Sequence, residues 1–503
     1  MISAHRADAV RRAERAAMAG LPQDELMLRA AAALARAVVR ELGGRAYGRR
    51  VVLLVGAGSN GGDALHAGAR LARRGAAVTA VLVADQAHAG GLAALRAEPG
   101  ARVLAAGADG VEAALARAEV LVDGVVGLGG RPGLPPEVGA LLLAAPSALV
   151  VAVDVPSGVE ADSGRTEALD PGLPEVVAAD LTLTFGTAKP GLLVPPGRAA
   201  AGRVEVVDIG LDPAALGPAA VEQLEAADVA SLWPVPHGSS DKYSRGVLGV
   251  VAGGEHYTGA AVLCTGAAVR SGAGMVRYLG PPRPTEIIRE RWPEVVPGAG
   301  RVQAWAVGPG VDPDDGDQAP RVADALASGL PCLVDAGALP ALAARVREHG
   351  PVSADVLLTP HAGELARLLA ELDTELGPDV GRALVEARPL LCVVAAAEAT
   401  GATVLLKGAT TLVAAPGGTS TRVRAQSDGV PWLGTAGAGD VLAGIAGALL
   451  AAGLSPLDAG SVAAAVHGRA ARAASGGGPL HAGAVSAAVP AVVAHLLTTG
   501  EWT

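Results

Sequence analysis

The chain has 503 residues, of which 50% are hydrophobic, 2% aromatic and 18% charged, and its formal net charge is −10. That length suits two or more domains with sizeable cores, and the low charge excludes a disordered chain. The acidic balance disfavours non-specific nucleic-acid binding, and the isolated Cys264, Cys332 and Cys392 make neither a disulfide framework nor a zinc set.

Residues 8–42 carry good helix formers in two segments separated at Gly20-Leu21-Pro22. The N-terminus, residues 1–14, carries Arg, Asp and Glu where a signal peptide would need an apolar run. A short β-branched run at 51–55 predicts a strand, followed by a glycine-rich loop, a helix at 63–74 and a strand at 78–83. This is the strand–loop–helix–strand unit of a parallel α/β sheet. Further strands are expected at 120–122, 149–153, 181–185 and 204–207. The most apolar stretch, 138–153, is cut by Pro146 and is shorter than the ~20 residues of a spanning helix. A Rossmann-like domain is expected over 1–212, and the proline-bearing residues 213–237 read as a connector. A second α/β domain is expected over 238–503. Its strands fall at 247–252, 304–307, 332–335, 356–359, 404–407 and 411–414, and its helices at 259–272, 441–452 and 485–497. The expectation is a soluble, cytoplasmic α/β protein that acts on small molecules, without nucleic acid or membrane as partner, as a homo-oligomer.

The composition contains a filter. Arg has almost displaced Lys, leaving Lys189, Lys242 and Lys407, and Asn60 is the single asparagine. Survivors mark positions where the substitute fails, because Arg cannot copy a compact ammonium and Asp cannot copy a neutral amide. All four stand in glycine-rich or turn-like surroundings.

In the first domain, Gly56-x-Gly58-x-x-Gly61 follows a strand and opens a helix, a nominal dinucleotide fingerprint. Asp85, which ends the next strand, reads as a turn residue. The run Ser59-Asn60-Gly61-Gly62-Asp63 brings amides and side-chain oxygens to a helix start, although Asp63 would also suit a simple cap. Asp123 and Asp154 end two further strands, and ligands of open α/β sheets gather beyond such ends. A neutral amide, a carboxylate and a hydroxyl suit a weakly bound monovalent cation better than zinc. Residues 55–63, the segment Asp123 to Gly130, Val153-Asp-Val-Pro-Ser-Gly158 and Thr187-Ala-Lys189-Pro-Gly together resemble the YjeF N-terminal family, the NAD(P)H-hydrate epimerases. The resemblance implies that Ser59, Asn60, Gly61, Gly62, Asp63, Gly127, Leu128, Gly129, Gly130, Arg131 and Asp154 contact the hydrated coenzyme. It implies that Asn60, Asp123 and Ser157 hold potassium, and Asp154 is the expected proton shuttle. Ser59 and Ala64 stand where that family usually has Asn and Gly.

In the second domain, Gly434-Thr-Ala-Gly437-Ala-Gly439-Asp440 opens a helix and would present amides to a phosphoryl group. Asp440 would accept a proton from a substrate hydroxyl, the alternative being a helix cap. Lys407-Gly408-Ala409-Thr410-Thr411 ends a strand with groups that suit nucleotide phosphates, and no Walker-type loop is present. The Gly-Ala-Gly-Asp ending, Gly308-Pro-Gly310 and Thr359-Pro-His361-Ala-Gly-Glu364 resemble the ribokinase-like ADP/ATP-dependent NAD(P)H-hydrate dehydratases. Ala436 and Ala438 replace that family's usual Gly and Thr. The resemblance implies that Ala260, Gly310, His361 and Asp440 contact the hydrate. It implies that Lys407, Gly408, Ala409, Thr410, Thr411 and Gly439 line ADP or ATP, with magnesium accompanying the nucleotide. The function expected is repair: the first domain interconverts R and S hydrates, and the second dehydrates the S form at the expense of ADP, giving AMP and phosphate. The rival is a small-molecule kinase fused to a non-catalytic nucleotide-binding module.

Overall fold

The computed structural model describes residues 1–372, 374–418 and 421–502. The chain forms two compact units, one of residues 3–221 and the other of residues 222 onward together with the first two.

The first unit is built on a seven-stranded, wholly parallel sheet in the order Ala101–Ala105, Ala77–Leu82, Arg50–Val55, Val120–Gly124, Leu149–Val153, Leu181–Phe185 and Arg203–Val207. The chain winds outward from Arg50–Val55 to one side, then returns to its other side with Val120–Gly124. That reversal opens a crevice beyond the carboxyl ends of these two neighbours. Both faces are covered, so the central strands are continuous apolar runs rather than alternating ones; only Arg50 of its strand is exposed. One face packs on the helices Glu25–Glu41 and Ser59–Arg73, the other on Pro136–Leu143. Strand Ala101–Ala105, not expected from sequence, is an edge strand in which no residue is fully buried. Its hydrophobic pattern is correspondingly weak.

The second unit carries a larger mixed sheet. Its order runs Val221–Gln223, Arg422–Gln426, Thr411–Ala415, Thr403–Leu406, Val356–Leu358, Cys332–Val334, Ala304–Val307, Val247–Val251, Met275–Tyr278 and Val296–Pro297. Thr411–Ala415 is antiparallel to both neighbours, while the strands from Thr403–Leu406 to Met275–Tyr278 are parallel. A core almost without aromatics is filled by close helix approach. A Cβ on Gly444 of Ala438–Ala451 would lie 2.2 Å from the Cys264 carbonyl oxygen of Thr258–Arg270. Helix Ala482–Thr499 is long and apolar enough to cross a membrane by length and composition. Here Val485, Val489, Val492 and Leu496 are buried in the core of this unit.

Residues 213–237 are divided between the units. Helix Pro213–Leu216 places Leu216 in the core of the first. Leu224, Val229 and Trp233 enter the core of the second, where the Gln426 side-chain oxygen accepts from Leu224 N at 2.8 Å.

Candidate active sites

The crevice of the first unit holds a cavity of about 860 Å³. Its floor is made by glycines that permit otherwise impossible approaches. A Cβ on Gly56 would lie 2.0 Å from the Val125 carbonyl oxygen, and one on Gly61 2.1 Å from the Gly56 oxygen. Gly61 therefore packs the helix onto the strand, and Gly61→Ala should cost about 1–3 kcal/mol of stability, measurable by chemical denaturation. The helix begins at Ser59, four residues before the expected start, with Gly58 as its N-cap. Asp63 thus stands inside the helix and caps nothing.

Asn60 donates its amide hydrogen to the Val153 carbonyl, which leaves its oxygen for another partner. Asp123 is fully buried. One of its oxygens accepts from Ser157 Oγ at 2.7 Å and Val125 N at 3.2 Å, the other from Ser157 N at 2.8 Å. Burial pushes its carboxyl above the ordinary range, against these hydrogen bonds, and no cationic side chain is paired with it among the described residues. An amide oxygen, a hydroxyl and a buried carboxylate lacking a counter-charge form a donor set fitted to a hard cation of low charge.

Asp154 sits at the next strand end with a left-handed backbone, φ 66°. Its Oδ1 receives Thr184 Oγ1 at 3.0 Å, Phe185 N at 3.2 Å and the ammonium of Lys189. Lys189 is 1% exposed and donates further to Thr184 Oγ1 at 2.9 Å and the Phe185 carbonyl at 3.1 Å. All three contacts made to the Asp154 carboxylate land on Oδ1, so Oδ2 has no hydrogen-bond partner among the described residues.

Asp63 and Glu14 line the same cavity. Burial, and then the charge of Asp154, holds the Asp63 carboxyl well above its ordinary range. Such a group stabilises the fold when protonated, and the contribution is lost as pH rises through its folded pKa. Asp63→Asn is therefore expected to melt at higher temperature than the parent in alkaline buffer. The gap should close as pH falls toward the ordinary carboxylate range.

In the second unit three strand ends meet. Asp335 follows Cys332–Val334, His361 follows Val356–Leu358, and Lys407 follows Thr403–Leu406; His361 and Lys407 form a parallel bridge. Lys407 Nζ lies 2.8 Å from Asp335 Oδ1 and 3.7 Å from Glu364 Oε2. His361 caps the helix Ala362–Glu371: its Nδ1 accepts from Gly363 N at 3.0 Å and Glu364 N at 3.2 Å, and Glu364 accepts from His361 N at 2.8 Å.

The helix Ala438–Ala451 points its first turn into this group. Its N-cap is Gly437, left-handed at φ 86°, so Asp440 is not the cap but the third helical residue. A Cβ on Gly439 would lie 3.4 Å from Lys407 Nζ. Burial first, then the charge of Asp335, pushes the Asp440 carboxyl up to about 7, with Lys407 opposing. A carboxylate poised near neutrality beside helix amides and an ammonium is the arrangement of a general base at a phosphoryl-transfer site. Gly310, at φ 65°, approaches Ala260 so closely that a Cβ would lie 2.5 Å from that of Ala260. A cavity of about 480 Å³ opens beside them, lined by Tyr257, Val311, Glu364 and Arg367 among others.

Two family models match the chain. The YjeF-related protein N-terminus covers residues 23–191 and the NAD(P)H-hydrate dehydratase model 248–480. The bifunctional NAD(P)H-hydrate repair enzyme Nnr of Mycobacterium tuberculosis (strain CDC 1551 / Oshkosh) is 44% identical over 89% of this chain and 89% of its own. The chain belongs to the bifunctional NAD(P)H-hydrate repair enzymes. Its counterpart in Mycobacterium leprae (strain TN) is 44% identical over 92% of each. A solved ADP/ATP-dependent NAD(P)H-hydrate dehydratase from Bacillus subtilis is 23% identical, covering 55% of this chain and 99% of its own, at a TM-score of 0.47.

In this repair enzyme, Ser59, Asn60, Asp63, Gly127, Leu128, Gly129 and Asp154 line the first cavity. Asp123 and Ser157 lie beneath it, fully or almost fully buried. Gly61 and Gly62 instead pack the helix, Gly62 against Met27 and His88. Gly130 is absent from the lining, as is Arg131, which is exposed. In the second unit Lys407, Gly439, His361 and Asp440 come together, and Ala260 adjoins Gly310; none of the six is among the residues that line the neighbouring cavity. Gly408 and Ala409 are exposed, while Thr410 is buried with its hydroxyl 2.8 Å from Ser427 Oγ. Asp335, Glu364 and Glu14 were not singled out by sequence as site residues. The composition filter did single out Lys189, without a role.

Proposed function

We propose that the two sites divide one repair. The first epimerises hydrated NAD(P)H at C6, and the second dehydrates the S epimer at the expense of ADP, giving NAD(P)H, AMP and phosphate. The observation that carries this reading is Asp440, held near neutrality in the first turn of a glycine-rich helix beside Lys407.

At the second site, Asp440 takes the proton from the C6 hydroxyl as its oxygen attacks the terminal phosphate of the nucleotide. The amides of residues 437–440 and the Lys407 ammonium meet the developing phosphoryl charge. Loss of phosphate from C6 and of a proton from C5 restores the ring double bond, because phosphate leaves far more readily than hydroxide. Gly310 and His361, at neighbouring strand ends, hold the nicotinamide portion, and the 63% exposed Tyr257 offers it an aromatic face.

In the first cavity Asp154 moves the proton to and from the C6 hydroxyl through its unpartnered Oδ2, while Lys189, Thr184 and Phe185 N hold Oδ1. Asn60, Asp123 and Ser157 are the residues that would hold potassium. When bound, the ion supplies a fixed positive charge that orders oxygens around the reacting hydroxyl. Replacing potassium by a bulky organic cation is expected to slow epimerisation several-fold and to leave the dehydration of pure S hydrate unchanged, as read by chiral chromatography and NADH absorbance.

The decisive experiment incubates an R,S mixture of hydrated NADH with ADP or with ATP. Complete recovery of NADH absorbance, with one phosphate released per NADH, is expected, ADP serving better. A stable phosphorylated product in place of NADH would establish the kinase alternative. Recovery that stops when the S epimer is exhausted would show that the first unit does not epimerise.

A further inference from the structure

The groups around Asp440 form a charge network, and Asp335 is a member with no role in the reaction as described. Asp335 is 2% exposed and follows strand Cys332–Val334. Its backbone is held in place by Gly308, whose positive φ of 108° lets the two chains approach so closely that a Cβ on Gly308 would lie 1.9 Å from the Asp335 carbonyl oxygen. Asp335 N donates to the Val307 carbonyl at 2.9 Å. The carboxylate is thus carried on rigid strand-end backbone, the setting that positions a charge well.

From this point Asp335 faces the Lys407 ammonium. It accepts a hydrogen bond from Lys407 Nζ at 2.8 Å, and the same ammonium stands beside the backbone of Gly439. Glu364, on the helix capped by His361, contributes a second carboxylate to Lys407 at 3.7 Å. On helix Pro456–Ser475, packed against Ala438–Ala451, Asp458 is paired with Arg424 and Arg469 with Asp428, while Arg472 donates to the Gly429 carbonyl. Cys264 is kept as a neutral thiol by burial, and His467 is pushed down to about 4 by burial, hence neutral. Arg270 is engaged by the Trp292 ring and by Ser486 Oγ at 3.1 Å. Burial and the charge of Asp335 push the Asp440 carboxyl up, and Lys407 opposes them.

We propose that Asp335 is a positioning residue of the dehydratase site: it holds the Lys407 ammonium against the backbone of Gly439 at the start of the glycine-rich helix that carries Asp440. The inference rests on the assignment of Asp440 as the base and deepens it. Two like charges in one partly desolvated site disfavour ionisation of the second, so loss of the Asp335 charge should let Asp440 ionise at lower pH. Release of Lys407 toward Asp440 acts in the same direction.

The test compares Asp335→Asn with the parent in the full-length protein by two readouts. The first is the titration of the Asp440 carboxyl followed by carbon NMR without turnover. The second is the kcat/KM–pH profile of dehydration with ADP. The parent carboxyl is expected to titrate near 7, about where burial and Asp335 hold it, and in Asp335→Asn both the titration and the acid limb are expected to fall by about one unit. An Asp440 titration that stays in place in Asp335→Asn overturns the inference, whatever happens to the rate. If the titration moves but the parent shows no nucleotide-dependent dehydration, the functional reading fails while the charge coupling stands. Asp335→Glu, which keeps the charge on a longer arm, covers the case in which Asp335→Asn does not fold. It should leave the acid limb in place and raise the KM for ADP several-fold through displaced Lys407; an unchanged KM overturns the positioning role.

Discussion

Asp440→Asn is expected to lower kcat for dehydration by about two to four orders of magnitude, the range lost with a positioned general base. KM for the hydrate should change little, because the amide is isosteric and the cavity walls are other residues. The fold should tolerate it well. Burial disfavours the ionised carboxyl, so a neutral amide at this position removes a cost above about pH 7. The expected pair of results is a protein slightly more stable in alkaline buffer and almost inactive with ADP, while interconversion of the epimers continues. Steady-state rates from NADH absorbance, with thermal melting at two pH values, check both halves. A surviving rate within tenfold of the parent would remove Asp440 from the chemistry.

Asp154→Asn carries the second large effect, and here activity and stability fall together. Epimerisation should drop by about two orders of magnitude or more. Lys189, almost completely buried, would lose its anionic partner and keep only Thr184 and a carbonyl. Stranding one member of a buried ion pair costs about 3–5 kcal/mol, so the variant should unfold at clearly lower denaturant concentration. Lys189→Met tests the other side of the pair. It should destabilise comparably and slow epimerisation, because Oδ1 would then be free to rotate away. Dehydration of pure S hydrate should survive both substitutions. Stability loss without any loss of epimerisation would make the pair structural.

Much of this was legible in sequence, for specific reasons. The strand ends bearing Asp123, Asp154 and Lys407 were found because apolar β-branched runs stop abruptly at a polar residue. Three of the four rare residues, Asn60, Lys189 and Lys407, prove to be held by tertiary contacts, whereas Lys242 is exposed and lies over the Tyr243 ring at 5.2 Å. The glycines were harder to read. Gly61 and Gly62 stand in a run that looks like a ligand loop, yet their spaces are taken by the Gly56 backbone and the Met27 side chain. Close packing and ligand approach demand the same residue, and sequence does not separate them. The same crowding accommodates Ala64: a Cβ on Gly124 would lie 2.7 Å from its methyl, so the absent side chain sits on the opposite strand. Asp335 and Glu14 escaped notice because their partners are remote in the chain. Lys407 is seventy-two positions from Asp335, and Glu14 meets the cavity only because its helix, Ala7–Met18, folds back over the sheet.

The stretch between the two halves has a practical meaning for anyone wishing to study them apart. A break at 237, where proline density invites it, would strip Leu224, Val229 and Trp233 from the interior they complete and leave Arg424 without Glu222. A fragment starting at Gly238 would then risk insolubility for reasons unrelated to catalysis, and its silence in an assay would be misread as dependence on the missing half. Scission just ahead of Val221 spares that wedge of side chains, and is where the two activities should be parted.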